Sequence, residues 1–535
     1  MAGRVYLVGA GPGDPGLLTL KGKRCLEQAD VIISDYLANP RLLDFARPDA
    51  ERISVGKHGG GARVEQDVIN ALIVERARQG KVVVRLKGGD PFLFGRGAEE
   101  ADAAQAAGLE FEVVPGVTSA TAVPAYAGIP LTHREVASTV IVTTGYEYPN
   151  KAEPVVRWGE LARSGSTLVV LMTQRQLRFN MTQLVAGGLP AQTPVALIEW
   201  GTRADQRTVT GTAEHIADVA EAAGIKPPTL AVIGAVVPMR ERLNWFERKP
   251  LFGRRIVITR PRRQAAEFAE LLEDAGAEVV PFPTIDIVPP ASHSAFDHAL
   301  GRAGEFDWVV FTSVNGVRAF FERLAVVGGD VRDWHRARFA AIGPQTAEAL
   351  RAFAVRVASV PEEYRAEAVV AALQQAGVAG QRVLLPRAAN AREILPAELR
   401  RLGAHVEDVA TYETVPPRAT PLAEVQALLE EGKVDLVTFT SSSTVHNFVA
   451  ALAGRIEILR TGTPVGCIGP VTADTARRYG MRVVVQPDRY TIAAFAEAIL
   501  QHCRVTPGAS AHHPLGRAVD GSRGTTSSGG NDGLS

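Results

Sequence analysis

The 535-residue chain contains only three cysteines, and Cys25, Cys467 and Cys503 stand far apart. They make neither a disulfide framework nor a metal cluster, which suits a reducing cytoplasm, and no metal site is expected. No apolar run reaches the length needed to cross a membrane. The opening residues, Met1–Gly11, run directly into a strand pattern and lack the charged, apolar and cleavage regions of a signal peptide. An excess of charge of one sign is also missing, since 58 Lys and Arg balance 58 Asp and Glu. Nothing in that balance points to nucleic acid or a membrane as partner. A cytoplasmic globular protein is expected, with 46% hydrophobic residues and too many residues for one core.

The requirements of a phosphate loop are missing as well. An apolar strand, Val5–Val8, enters Gly9-Ala10-Gly11-Pro12-Gly13-Asp14, and a helix pattern follows. A dinucleotide fingerprint needs Gly-x-Gly-x-x-Gly so that a pyrophosphate can rest on the helix N-terminus. Here Asp14 takes the place of the third glycine, and its carboxylate would repel a phosphate. Pro12 removes an N–H that could have bound one. No Gly-Lys-Ser/Thr follows, so the loop is not a P-loop either. It fits a nucleoside-like ligand without phosphate, such as S-adenosylmethionine with its positive sulfonium. No Gly-x-Ser-x-Gly elbow appears, which argues against Ser-His-Asp hydrolysis.

Further segments follow in order: Ser34-Asp35-Tyr36-Leu37, Val55-Gly56-Lys57, Arg85–Glu100 (RLKGGDPFLFGRGAEE), Val113–Ala120 (VVPGVTSA) and Gly128–Arg134 (GIPLTHR). Together with the first loop they resemble the uroporphyrinogen-III C-methyltransferases, within the tetrapyrrole methylases. The resemblance covers about residues 3–246 and ends in Leu243-Asn244-Trp245-Phe246. Ala98 replaces a usual glycine, and Tyr36 stands where many members have arginine. It implies a two-lobed α/β methylase at 1–246 that uses S-adenosylmethionine and forms a homodimer.

A charged break at 247–252, ending in Pro250-Leu251-Phe252, precedes a fresh strand at Arg255–Thr259. The second half, 253–503, contains an internal repeat. Phe311-Thr312-Ser313-Val314-Asn315-Gly316-Val317 is echoed by Phe439-Thr440-Ser441-Ser442-Ser443-Thr444-Val445. Ala341-Ile342-Gly343-Pro344 is echoed by Cys467-Ile468-Gly469-Pro470. Each hydroxyl turn joins a strand end to a helix start, where its side chains can cap the helix and its free N–H groups attract anions. With Ile258-Thr259-Arg260-Pro261, Leu384-Leu385-Pro386-Arg387 and Ala410–Val415, the pattern resembles uroporphyrinogen-III synthase. That implies two similar α/β lobes with an interleaved chain, the outer one at about 288–412. The tail, 504–535, is rich in Gly, Ser and Thr and reads as disordered; its pair His512-His513 reads as solvated rather than metal-binding.

The resemblances imply roles. Asp35 matches the methylase proton acceptor and Lys57 the proton donor; a plain loop carboxylate and a propionate-binding lysine are the alternatives. Pro12, Gly88, Gly89, Asp90, Leu93, Thr118, Ser119, Met172 and Gly201 match cofactor contacts, and Arg96 and Arg134 are candidates for substrate carboxylates. In the second half, Tyr412 matches a tyrosine that helps a hydroxyl leave, with a half-buried hinge aromatic as the alternative. Thr312, Ser313, Ser441, Ser442, Thr444, Arg260 and Arg387 are candidates for holding propionates. The implied reactions are closure of hydroxymethylbilane to uroporphyrinogen III, then two methyl transfers giving precorrin-2. An inert second half, or a different acceptor, remains an open alternative.

Overall fold

The computed structural model describes residues 3–56, 64–146, 155–361, 366–391, 393–415, 422–452, 455, 457, 459 and 462–505. Lys57 and residues 506–535 of the tail therefore lie outside the described residues. Among those described, no helix is long and apolar enough to cross a membrane.

Strands and helices alternate to build four sheets. The first is parallel throughout, in the order β3-β2-β4-β1-β5. Its strands are β1 (Arg4–Gly9), β2 (Val31–Ser34), β3 (Glu51–Ser54), β4 (Val82–Lys87) and β5 (Glu110–Val114). A sheet buried on both faces needs near-continuous apolar strands, and β1, β2 and β4 are such runs. Val5, Leu7, Val31, Ile33 and Val83 pack on one face and Val8, Ile32, Val84 and Leu86 on the other. Because all five strands run the same way, the loops after them gather along one edge.

The second sheet is mixed, in the order β6-β7-β10-β8-β9. It comprises β6 (Val140–Thr144), β7 (Thr167–Leu171), β8 (Pro194–Glu199), β9 (Arg207–Thr212) and β10 (Thr229–Ile233). β10 is antiparallel to both its neighbours. Helix Ser119–Tyr126 leaves the first sheet and buries Ala120 and Val123 against β7, β8 and β10. Residues 247–252 form turns that continue from this half, with Phe252 edge-on to Phe246 at 5.3 Å.

The third sheet has the order β12-β11-β19-β20-β21, from β11 (Arg255–Ile258), β12 (Glu278–Pro281), β19 (Leu436–Phe439), β20 (Val465–Cys467) and β21 (Val483–Val485). The fourth has the order β13-β18-β17-β14-β15-β16. Its members are β13 (Asp286–Val288), β14 (Trp308–Phe311), β15 (Arg338–Ala341), β16 (Val357–Ser359), β17 (Arg382–Ala388) and β18 (His405–Val415). The chain enters this lobe along β13 and leaves along β18, and the two pair antiparallel through Asp286–Val415. The repeat in the sequence is a repeat in space. Ser313 and Ser441 each cap a helix from an extended backbone (φ −162° and −161°), and Gly343 and Gly469 each precede a helix that opens with proline.

The chain divides into two compact units. One is Met1–Ile256 with Leu271–Val279 and the last turns of the final helix from Ile499; the other is Val257–Glu270 with Val280–Ala498. The first unit thus takes in the end of helix Arg262–Asp274 and the start of β12, and Glu273 on that helix pairs with Arg41.

Candidate functional site

In the first unit the loops at the edge of the parallel sheet interlock through glycine. Gly11 and Gly89 bridge the first and fourth loops by paired backbone hydrogen bonds of 3.2 and 2.7 Å. A Cβ on Gly9 would come within 2.5 Å of Gly116, and one on Gly116 within 2.3 Å of the Gly89 carbonyl. Leu37 covers Gly88 so closely that a Cβ there would lie 2.8 Å from its own. These glycines serve close approach of backbone to backbone, leaving a cradle walled by main chain.

The candidate cofactor residues meet here. Asp90 knits the cradle: one carboxylate oxygen accepts from the N–H of Phe92 (2.8 Å) and Leu93 (3.1 Å), and the other from Gly116 (3.0 Å). Thr118 caps helix Ser119–Tyr126 by accepting from Ala120, with Ser119 opening that helix. Pro12 lies in the first loop, between Gly11 and Gly13. The second sheet contributes Met172, in a left-handed turn just after β7 (φ 57°), and Gly201 after β8. Gly201 lies against Val123, whose Cγ would be 2.3 Å from an added Cβ. Thr202 accepts from the Asp14 N–H at 3.1 Å, so the two lobes of this unit touch at the first loop.

Asp14 has a partner that the sequence did not announce. Its carboxylate accepts from Gly16 at 2.7 Å and from the Tyr126 hydroxyl at 2.7 Å. Burial and the neighbouring carboxylate raise the Tyr126 phenol well above its ordinary pKa. The acidic side chain in the glycine loop is therefore a helix cap and a strut between loop and helix.

Asp35, one residue beyond β2, accepts from Arg85. Arg85 lies inside the molecule and also donates to Glu100 at 2.9 Å and to the carbonyls of Ile33 and Leu86, both at 3.2 Å. Glu100, fully buried, takes Lys87 as well at 2.9 Å and Gln66 at 3.2 Å. Burial, the largest influence on Arg85, opposes its charge, but Asp35 and Glu100 more than offset it and its pKa is raised. For Lys87, burial and then the Arg85 charge outweigh Glu100, and its pKa is lowered. Sequence reasoning passed over this network, although two cations inside the apolar run of β4 (Val82-Val83-Val84-Arg85-Leu86-Lys87) signal it. Arg96 takes a left-handed backbone at the start of helix Gly97–Ala106 and pairs with Glu99 at 2.7 Å. Arg134 lies exposed in the turn between His133 and Ala137.

In the second unit the structure joins two candidates directly. The Tyr412 hydroxyl, on β18, lies 3.0 Å from Ser313 Oγ, at the start of helix Val314–Val326. Ser313 also accepts from Gly316 at 2.9 Å. Burial pushes the Tyr412 phenol above its ordinary pKa, and the Ser313 contact only partly reverses that. Thr312 is half-buried beside Ser313. Ser441 and Thr444 form a reciprocal cap, with Thr444 buried and its hydroxyl given to the Ser441 carbonyl at 2.7 Å. Ser442 donates to the Val471 carbonyl (3.3 Å) and accepts from Thr475 (2.9 Å). Arg260, half-buried past β11, has its pKa lowered by burial, with Glu267 opposing. Arg387 is buried and pairs with Asp408, its Nε at 2.6 Å, and with Glu393 at 3.4 Å. That geometry ties β17 to β18.

Fold and loops thus define a two-part α/β protein, with a main-chain cradle in one part and a bilobal pair of hydroxyl turns in the other. Residues 4–217 match the family model of tetrapyrrole (corrin/porphyrin) methylases, and residues 266–497 that of uroporphyrinogen-III synthase HemD. The porphyrin biosynthesis protein HemD of Ruminiclostridium josui is 35% identical over 93% of this chain and 98% of its own length. An S-adenosyl-L-methionine-dependent uroporphyrinogen III methyltransferase of Methanosarcina barkeri is 52% identical over 45% of this chain and 95% of its own. The solved uroporphyrin-III C-methyltransferase of Thermus thermophilus with S-adenosyl homocysteine is 38% identical over 44% of this chain and 99% of its own, with a TM-score of 0.38. The chain belongs to the tetrapyrrole methylases through its first half and to the HemD uroporphyrinogen-III synthases through its second.

Proposed function

We propose that this tetrapyrrole-biosynthesis enzyme carries out two consecutive reactions on one chain: closure of hydroxymethylbilane to uroporphyrinogen III, and its double methylation to precorrin-2. The observation that carries the methylase reading is Asp35, held by buried Arg85 beside the glycine cradle.

The cradle fits S-adenosylmethionine. Its walls are main chain, its proline withholds an N–H from any phosphate, and its acidic residue is engaged with Tyr126. Pro12, Gly88, Gly89, Asp90, Leu93, Thr118, Ser119, Met172 and Gly201 would hold it. When bound, it supplies a methyl group already activated on a sulfonium. The protein's tasks are then alignment and proton movement. Asp35 accepts the proton that the methylated macrocycle must lose, and Arg85 holds the carboxylate in place. Lys57 is the matching donor. Arg96 and Arg134 face the carboxylates of the acceptor as forked donors.

In the second half Tyr412 keeps its proton because it is buried, and so can hand a hydrogen bond to the hydroxyl that leaves as water. Ser313 fixes the phenol. Thr312, Ser441, Ser442, Thr444 and Arg260 supply donors for propionates. Arg387 serves this site by holding β17 and β18 in place.

The test is to incubate the protein with hydroxymethylbilane and S-adenosylmethionine without air, then identify the tetrapyrrole by chromatography and mass. A dimethylated III isomer is expected. An unrearranged I isomer would sink the synthase half of the reading, and an unmethylated III isomer the methylase half.

A further inference from the structure

Among the described residues, six other than glycine adopt a positive φ: Phe94, Arg96, Met172, Trp200, Thr202 and Ala354. All but Ala354 sit on the loops that border the cradle of the first unit. A left-handed backbone is costly for a bulky side chain and persists where the surroundings over-determine it. Trp200 (φ 47°) is the largest of them.

Its indole is held from two sides. The Arg203 guanidinium lies 4.5 Å from its ring centroid, and Arg203 is anchored by Asp205 at 3.0 Å. The Tyr36 ring meets it edge-on, with centroids 6.0 Å apart and planes at 66°. Tyr36 directly follows Asp35. Its main chain is wedged against Gly56, where a Cβ would approach to 2.3 Å. So the Tyr36 backbone is fixed to the first lobe while its ring reaches the second, and the residue as a whole is 47% exposed. The contact crosses the gap between the loop after β2 and the loop after β8, beside the candidate base.

We propose that Tyr36 and Trp200 form an aromatic bridge across this gap that positions the tetrapyrrole acceptor against Asp35, making both residues specificity-determining for the acceptor and not for the methyl donor. The bridge rests on the methylase reading. Edge-to-face geometry sets the spacing of the lobes, and an exposed tyrosine ring gives a pyrrole face a surface to stack on. The donor's cradle is walled by main chain, and the close contacts at Gly9, Gly88, Gly89 and Gly116 involve neither ring.

The experiment compares the full-length protein with Tyr36→Ala, Tyr36→Phe, Trp200→Ala and the double alanine variant. Two readouts are taken: anaerobic methylation of uroporphyrinogen III, and fluorescence titration with uroporphyrin III as a stable probe that needs no turnover. Each alanine variant should raise the acceptor KM and the probe Kd by roughly two- to tenfold, the size of one aromatic pair. The double variant should be no worse than either single one. Tyr36→Phe should match the wild type, because it keeps the ring that meets Trp200. The KM for S-adenosylmethionine should stay constant throughout. Unchanged acceptor binding, additive losses, a Tyr36→Phe as poor as the alanine, or a change confined to the donor KM would each overturn the bridge. Wild-type protein that binds the probe but transfers no methyl would overturn the methylase reading alone, and the bridge would then stand or fall on the variants' Kd. Wild-type protein that does neither would overturn both.

Discussion

Glu100 is the residue on which the buried charge of the first lobe converges. Arg85 and Lys87 both lean on it, and all three side chains are shielded from water. Removing one member of such a group leaves the others as uncompensated buried charge. Glu100→Gln should therefore destabilise the first unit by about 3–5 kcal/mol, read as a lower urea midpoint. A midpoint within error of the wild type would mean that the network contributes nothing net. Tyr412 offers a test with a direction in pH. Its folded pKa is raised above the ordinary 10.0, chiefly by burial, so both states hold the proton below that value. Above it the unfolded chain ionises first, and stability is lost as pH rises toward the folded value. Tyr412→Phe should forfeit about 1 kcal/mol of hydrogen bonding to Ser313 at neutral pH. It should also show a shallower loss of stability above about pH 10, measured as urea midpoints of the two proteins across that range. Parallel curves would contradict the assigned burial.

At the scale of elements, the loops hold more information than the strands. Gly116→Ala places a methyl 2.3 Å from the Gly89 carbonyl, a backbone atom that cannot rotate away. Forcing such an overlap typically costs about 1–3 kcal/mol. The cradle should then open and weaken S-adenosyl homocysteine, read by calorimetry, whereas Gly304→Ala, with open space around it and no left-handed backbone, should leave that affinity alone. The glycine loops, the repeated Ser caps and the Gly-Pro helix starts were legible in the sequence because each is a local device with its own residue signature. The first strand, read as Val5–Val8 from its apolar run, is Arg4–Gly9 in the structure. What stayed hidden was pairing over long separations. Asp14 looked like a barrier to phosphate, and only the fold brings Tyr126 to it. Arg387 looked like an anion-binding end of a strand, and only the parallel pairing of β17 with β18 puts Asp408 beside it. Tyr36 sits in a motif of its own, but nothing in the sequence pairs it with Trp200; their meeting depends on how two sheets of one unit are set.

For the whole molecule, the question is whether one chain means one function. Among the described residues, clusters of first-half residues alone span Val5 to Val237, and clusters of second-half residues alone span Val257 to Met481. Each half thus has its own buried apolar surface, the main source of folding free energy. The candidate residues divide the same way: the glycine cradle and Asp35 lie within the first unit, and Ser313 and Tyr412 within the second. Loss of one site should then leave the other at work. Asp35→Asn removes a charged acceptor while keeping its shape, so it should stop methylation yet still convert hydroxymethylbilane to the III isomer at the wild-type rate. Tyr412→Phe should do the reverse, methylating supplied uroporphyrinogen III normally while closing the ring slowly. Product analysis of the two variants, each given hydroxymethylbilane and then uroporphyrinogen III, separates these outcomes. If Asp35→Asn also slowed ring closure, the halves would be coupled in function, and the independence of their cores would concern stability alone.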